Sequence, residues 1–134
     1  MDNVEVESYG RSIEERELYV VSIGDPANPT MVVDCGMHAR EWVSFAFCLY
    51  FINDLLNGEN KAWTEDIYWV IYPMLNPDGY HFSWTGDRYW RKNRNTNDGH
   101  NCKGVDLNRN YDIEWMNAGT SSNPCQGLET ALEM

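Results

Sequence analysis

A histidine and a glutamate stand three positions apart in the segment CGMHAREW, which directly follows the apolar run MVVD. This HxxE spacing at the start of a helix would place the imidazole of His38 and the carboxylate of Glu41 around one cation, and this ligand pair suits Zn²⁺. A second interpretation is that Glu41 complements the helix dipole in the first turn while His38 caps the helix or is solvated. Considered alone, the tetrapeptide favours this second interpretation.

Basic residues concentrate further along the chain. Six of the ten Lys and Arg residues fall within residues 88–109, where only Asp98 and Asp106 oppose them, so this window carries +4. Arg91 and Arg94 are three apart there, and Asn108 stands beside Arg109. Arginine binds carboxylates through paired hydrogen bonds, and a cationic group near a metal stabilises the oxyanion formed when water attacks a carbonyl. The alternative is a basic surface loop that pairs with acidic residues elsewhere.

The composition of the chain excludes several classes of protein. Its 134 residues suffice for one domain with a modest core. A net charge of −11 argues against nucleic acid or an anionic membrane surface as the main partner. No apolar run is long enough to span a membrane, and the polar, acidic start is not a secretory signal as it stands.

Four cysteines are present, at positions 35, 48, 102 and 125. An even number fits two disulfides in an oxidising compartment, with three possible pairings. A zinc ribbon is disfavoured because no CxxC pair occurs. Four buried free thiols in a cytosolic protein remain the other interpretation.

The elements that must position these residues follow from apolar runs. Strands are predicted at residues 18–23, 30–36 and 66–75, and helical spacing of Val43, Phe47, Tyr50, Phe51 and Leu55 predicts a helix that Gly58 ends. Continuous apolar runs with β-branched residues are typical of a largely parallel sheet, and strand, helix and strand in this order predict a βαβ unit.

The rest of the chain has a different pattern. Residues 76–104 are rich in turn formers and aromatics, residues 105–115 allow one more short strand and a loop, and the last residues suggest a loop and a first helical turn. Ligands of open α/β sheets bind at the carboxyl ends of the strands. His38, residues 76–80 and the pair Asn108–Arg109 follow successive predicted strands, so we expect them to converge on one edge.

Three segments together make a family resemblance visible: CGMHAREWVSFAFC, NPDGYHFSWTGDRYWRKNR and CKGVDLNRNYD. Their order and approximate spacing resemble those of zinc metallocarboxypeptidases of the pancreatic and mast-cell A/B type, from about Ser8 to Cys125. The resemblance implies an α/β fold with a mixed, largely parallel sheet flanked by helices, the carboxypeptidase/phosphorylase-like fold, in incomplete form. It also implies removal of single C-terminal amino acids from peptides with one Zn²⁺.

The resemblance assigns the metal and catalytic roles to four residues. His38 and Glu41 resemble the first two zinc ligands, and Asp106 resembles the carboxylate that orients the ligand histidine. Arg91 resembles the residue that polarises the scissile carbonyl and stabilises its oxyanion.

Four further residues resemble the substrate-binding residues of the family. Asn108 and Arg109 correspond to the clamp on the terminal carboxylate of the substrate, and Arg40 and Arg88 to residues that contact the peptide upstream of the scissile bond. The expected partners are therefore a peptide or protein C-terminus and a propeptide or inhibitor.

The resemblance also bears on the cysteines. Cys102 and Cys125 match a disulfide common in the family, and Cys35 with Cys48 resembles a second one found in the B type. Both pairings imply a secreted, extracellular protein.

The 134 residues depart from the family pattern in one important respect. The third zinc ligand of the family is a histidine of an SHS-type segment well after NPC, and neither His81 nor His100 matches it. The catalytic glutamate, a substrate-contacting tyrosine and the specificity pocket are also without counterparts. We therefore expect residues 1–134 to be the N-terminal portion of a catalytic domain, without propeptide or C-terminal part, and to be inactive alone and marginally stable. The alternatives are a non-catalytic homologue that binds peptide C-termini or an inhibitor, and a remnant that does not fold.

Overall fold

The computed structural model describes residues 3–97, 99–113, 115, 120, 121, 123 and 125. The final loop and helical turn suggested by the sequence lie mostly outside these residues. The secondary structure comprises four strands, three α-helices and two 3-10 turns within the described part of the chain. In chain order the elements are β1 (Val4–Arg11), β2 (Glu17–Ile23), β3 (Thr30–Asp34), α1 (Trp42–Asn57), a 3-10 turn (Glu59–Ala62), α2 (Trp63–Asp66), β4 (Tyr68–Tyr72), α3 (Pro77–Thr85) and a second 3-10 turn (Leu107–Arg109).

The strands form one sheet in the order β1-β2-β4-β3. Strands β3 and β4 are parallel neighbours joined through α1, which confirms the predicted βαβ unit. The β1–β2 and β2–β4 pairs are antiparallel, so the mixed sheet is confirmed but its largely parallel character is wrong for the strands described here. The continuous apolar runs do not fix strand direction, since two of them belong to the central strands β2 and β4 and the third to the exposed edge strand β3.

Strand β1 was not predicted. Its sequence VEVESYGR alternates Val and Glu in the first four residues, but seven of its eight residues are exposed and its acidic character hides the period-two pattern. It pairs with β2 along its length as an antiparallel hairpin strand, and a register shift falls between Ser8 and Gly10.

Helix α1 packs one face against the sheet. Cys48 and Leu55 are buried on the helix side, and the sheet contributes Val21, Ile23, Trp69 and Ile71. Phe45 is also buried but lies outside this cluster, against the ring of Tyr80. Of the apolar positions that predicted the helix, Phe51 and Leu55 face this core, whereas Val43, Phe47 and Tyr50 are 78%, 53% and 67% exposed. The predicted end of the helix is confirmed, since Gly58 is its C-cap. None of the helices in the described residues is long and apolar enough to cross a bilayer.

Helix α3 was also not predicted, although NPDGY carries a helix-start signal. Asn76 is its N-cap and accepts a hydrogen bond from Gly79 N–H, with Pro77 in the first turn. Asp78 of the same turn is 3% exposed and accepts hydrogen bonds from Ser12 Oγ (2.6 Å), Glu14 N–H (3.0 Å) and Arg16 Nη1 (2.6 Å). The β1–β2 turn is thereby tied to the helix that follows β4.

We expect Asp78 to make folding stability depend on pH in the acid range. Burial raises the pKa of Asp78, but the hydrogen bonds from Ser12, Glu14 and Arg16 outweigh burial and hold it below its ordinary value. A depressed pKa means that the folded chain binds fewer protons than the unfolded chain. The carboxylate therefore stabilises the fold fully above the unfolded pKa, about 3.9, and this contribution is lost as pH falls from there towards the folded pKa.

The measurement is urea unfolding between pH 7 and pH 3 for the parent chain and for Asp78→Asn. The difference in unfolding free energy between them should be largest near pH 6 and should shrink below about pH 4. Asp87→Asn, at an exposed position, serves as the control and should show a much smaller difference. A difference for Asp78→Asn that stays constant with pH would contradict the assignment.

Candidate active site

The loop after β3 is held by two neighbouring segments. Asn76, which is 2% exposed, donates from Nδ2 to Met37 O (3.0 Å) and to Lys92 O (3.1 Å). Ala39 N–H donates to Arg91 O (3.0 Å). The loop is therefore bonded both to the start of α3 and to the segment around residue 91. Sequence reasoning placed residues 76–80 at this edge but did not identify Asn76 as the residue that joins the segments.

His38 lies between two carboxylates. Its Nε2 is 3.1 Å from Asp106 Oδ1, and its Nδ1 is 3.2 Å from Glu41 Oε1. The imidazole side chain is 11% exposed, whereas Glu41 is 48% exposed. Glu41 is the N-cap of α1 and its side chain makes no capping hydrogen bond. The geometry thus disagrees with the interpretation of a solvated histidine beside a helix-start glutamate.

Asp106 is the centre of the arrangement. It is fully buried, with Oδ1 facing His38 and the backbone N–H of Asn108 (3.0 Å). Its Oδ2 accepts from Arg91 Nε (3.1 Å) and Nη2 (3.0 Å). Burial raises the pKa of Asp106, but hydrogen bonding from His38, the charge and hydrogen bonds of Arg91 and the Asn108 N–H lower it below its ordinary value overall. The family resemblance pointed only to its contact with the histidine.

Arg91 links the two carboxylates that contact His38. In addition to its paired contact with Asp106, its Nη1 lies 3.5 Å from Glu41 Oε1. The neighbouring Lys92 is buried, and burial lowers its pKa although the negative charge of Asp106 opposes this. A guanidinium held beside a histidine and a glutamate can stabilise negative charge that develops near them.

Arg94 has a different environment from Arg91. Its guanidinium lies over the ring of Phe82 (3.7 Å) and near that of Trp90 (4.7 Å), and its Nε is 3.6 Å from Glu14. The two arginines of WRKNR therefore do not act as one carboxylate-binding pair. Arg91, Lys92, Arg94 and Lys103 do share the lining of one open cavity of about 540 Å³.

Asn108 and Arg109 lie in the second 3-10 turn, Leu107–Arg109, which Asp106 caps. The prediction of a strand within residues 105–115 is therefore wrong where the chain is described. The Asn108 N–H, which a strand would use for pairing, donates instead to the Asp106 carboxylate. Asn108 is exposed, and Arg109 Nη1 donates to Asn108 O (3.0 Å). Asn108 and Arg109 thus stand two and three positions beyond Asp106, the carboxylate that binds His38 and Arg91.

The two other arginines assigned by resemblance also meet. Arg88 Nη1 donates to Arg40 O (3.0 Å), and the Arg88 guanidinium lies 3.7 Å from the centre of the Trp42 ring. Arg40 stands between His38 and Glu41 in sequence, so Arg88 borders the same loop.

Zinc can be tested against the donors present. With Nε2 bonded to Asp106, His38 turns Nδ1 towards Glu41, and a nitrogen and a carboxylate oxygen are donors that suit Zn²⁺. Catalytic zinc normally has three protein ligands. Within the described residues no group of three or more His, Cys, Asp and Glu is placed to hold a metal. His38 and Glu41 supply two donors that suit zinc, which is fewer than a catalytic site normally has. His81 and His100 are exposed, on α3 and in a loop.

Both disulfides that the resemblance implied are present. Cys35–Cys48 joins the end of β3 to α1 inside the core, and Cys102–Cys125 closes a loop that begins within the basic window, residues 88–109. The interpretation of four free thiols is therefore wrong.

The described residues form an α/β domain with a mixed sheet, and comparison with known proteins specifies the family. Residues 1–130 match the family described as zinc carboxypeptidase, and the chain belongs to it. It is 42% identical to human carboxypeptidase A6 over 125 residues, which are 88% of this chain and 29% of that protein. It is 41% identical to the zinc carboxypeptidase of Simulium vittatum over 128 residues, 92% of this chain and 42% of that protein.

Comparison with solved structures gives the same family. Bovine thrombin-activatable fibrinolysis inhibitor, in complex with tick carboxypeptidase inhibitor, matches 96% of this chain and 43% of its own at 40% identity, with a TM-score of 0.86. Carboxypeptidase A from Helicoverpa armigera matches 96% of this chain and 33% of its own at 38% identity, with a TM-score of 0.87. The chain therefore spans less than half the length of the relatives it matches.

Proposed function

We propose that residues 1–134 are part of the catalytic domain of a zinc-dependent metallocarboxypeptidase that hydrolyses the C-terminal peptide bond of extracellular peptides or proteins. The observation that carries the proposal is the buried carboxylate of Asp106, which binds His38, Arg91 and the Asn108 backbone N–H at once. Membership of the zinc carboxypeptidase family and the two disulfides support it.

The proposed roles come from the family resemblance, and the contacts described above support them. His38 and Glu41 would hold zinc together with a further ligand, and bound zinc supplies Lewis-acid polarisation and activation of water. Arg91, fixed by Asp106, donates hydrogen bonds to the carbonyl oxygen of the scissile bond as it gains charge. Asn108 and Arg109, on the turn that Asp106 caps, bind the terminal carboxylate of the substrate and restrict cleavage to chain ends. Arg40 and Arg88 contact the peptide on the upstream side.

The test is to add an N-acetylated tripeptide to the isotope-labelled 134-residue chain and to monitor binding through changes in NMR chemical shifts. The free-acid peptide should bind, and its C-terminal amide should bind about tenfold more weakly or worse, because a hydrogen bond to a charged group contributes about 1.5–3 kcal/mol. Arg109→Ala should remove this preference. Arg11→Ala, a basic-residue control on exposed strand β1, should retain it.

A parallel titration with Zn²⁺ should shift the His38 ring signals in the parent chain, and much less in Glu41→Gln. Equal binding of acid and amide would reject the carboxylate clamp. If the chain prefers the free-acid peptide but zinc does not shift the His38 ring signals, the result would favour a non-catalytic homologue that binds peptide C-termini or an inhibitor.

A further inference from the structure

Three side chains form a stacked column beside the candidate site. The rings of Trp42 and Trp84 are 3.9 Å apart between centroids and inclined by 13°, and Arg88 Cζ is 3.7 Å from the Trp42 centroid. Two groups this close to one ring centre cannot share a face of that ring. Trp42 is therefore sandwiched between Trp84 on one face and the Arg88 guanidinium on the other.

Helix α3 fixes the ring of Trp42 from several directions. Trp42 Nε1 donates to Ser83 Oγ (2.8 Å), and Ser83 Oγ, itself buried, donates to Tyr80 O (2.6 Å). The Tyr80 ring meets Trp42 edge-on, with centroids 6.2 Å apart at 72°. Since Trp42 is the first residue of α1 and follows Glu41 directly, α3 also holds the end of the helix that carries the carboxylate.

Arg88 has fewer fixed contacts than Arg91, so its position depends more on the stacked column. Arg91 is anchored by paired hydrogen bonds to a buried carboxylate. Arg88 is exposed; among the described residues it donates to one backbone carbonyl, Arg40 O, and lies on the face of Trp42. A long side chain with so few contacts samples several rotamers unless a flat surface restrains it.

We propose that Trp84 is a positioning residue for Arg88, acting through Trp42. Trp84 is 60% exposed, so its removal costs little core packing, but it supports the face of Trp42 opposite the guanidinium. The consequence for substrate rests on the proposed function, in which Arg88 contacts the peptide upstream of the scissile bond. The effect on Arg88 itself does not rest on it.

The first arm of the test measures ¹⁵N relaxation of the arginine Nε–H groups in the 134-residue chain. In Trp84→Ala the Arg88 Nε order parameter should fall into the flexible range, below about 0.6, while that of Arg91 stays unchanged. Ser83→Ala, which frees the edge of Trp42, should loosen Arg88 in the same direction. Trp63→Ala is the matched control, because Trp63 is also half exposed (48%) and stacked on another tryptophan, Trp69.

The proposal is overturned if Arg88 stays as ordered in Trp84→Ala and Ser83→Ala as in the parent chain, or if Trp63→Ala loosens it equally. The second arm compares binding of an N-acetylated tripeptide with that of a single N-acetylated amino acid. Trp84→Ala should weaken the tripeptide about fivefold, the size of a typical cation–π contribution, and leave the single residue unaffected. If neither ligand binds the parent chain, the proposed function fails, and the relaxation arm still decides the role of Trp84.

Discussion

Replacing Asp106 by Ala should lower the free energy of unfolding by about 3–5 kcal/mol, because it removes one partner from a buried, fully bonded charge cluster. The carboxylate is fully buried and holds His38, Arg91 and the Asn108 N–H. Its loss leaves a guanidinium that is only 13% exposed without its paired acceptor. It also removes the cap of the turn that carries Asn108 and Arg109. The measurement is urea unfolding at pH 7 followed by far-ultraviolet circular dichroism.

Glu41→Ala is the matched control for this prediction. Glu41 contacts the same two side chains, His38 (3.2 Å) and Arg91 (3.5 Å), but is half exposed. Exposed ion pairs contribute about 0–1 kcal/mol, so this variant should unfold close to the parent. Similar losses for the two variants would mean that burial of Asp106 does not set the size of the effect.

Replacing Gly36 by Ala should destabilise the chain by about 3 kcal/mol, combining a left-handed backbone cost with overpacking. Gly36 has φ +68°, and a Cβ there would lie 2.0 Å from the ring of Phe45, which is 3% exposed. The ring belongs to the buried face of α1, so it has little room to move. We expect the His38 ring signals to shift as well, because Gly36 O accepts the Asn76 N–H that helps hold the loop.

Gly99→Ala separates the two contributions. Gly99 has φ +81°, but a Cβ there meets no described residue within 4 Å. It should therefore show only the backbone cost, about 1–2 kcal/mol. If both variants lose the same amount in urea unfolding, the contact with Phe45 contributes nothing.

The sequence alone predicted the central βαβ unit well, because β3, α1 and β4 carry strong apolar patterns and Gly58 marks a clear helix end. It missed β1 and α3 for two different reasons. Strand β1 is at the sheet edge and mostly exposed, so no apolar run marks it. Helix α3 begins with Asn-Pro-Asp-Gly, which also fits a turn, and it is stabilised by distant partners, Ser12, Glu14 and Arg16.

The residues of the candidate site came from the resemblance, and their mutual contacts came from the structure. Nothing in the spacing of DLNRN indicates that one carboxylate binds an imidazole, a guanidinium and a backbone amide. That arrangement depends on tertiary contacts between residues 38, 91 and 106. The stacking of Trp84 on Trp42 is equally invisible in sequence, because it joins the first turn of α1 to the last turn of α3.

The contact between His38 and Asp106 spans 68 positions in the chain. At synthesis rates of about 5–20 residues per second, the ribosome makes the histidine several seconds before the carboxylate that orients it. During that interval the Cys35–Cys48 disulfide can already close, since both cysteines lie within the first 48 residues. A newly made chain can thus form its covalent link before its imidazole meets the carboxylate that orients it, and the contacts of His38 are complete only after the DLNRN segment has been synthesised and has docked.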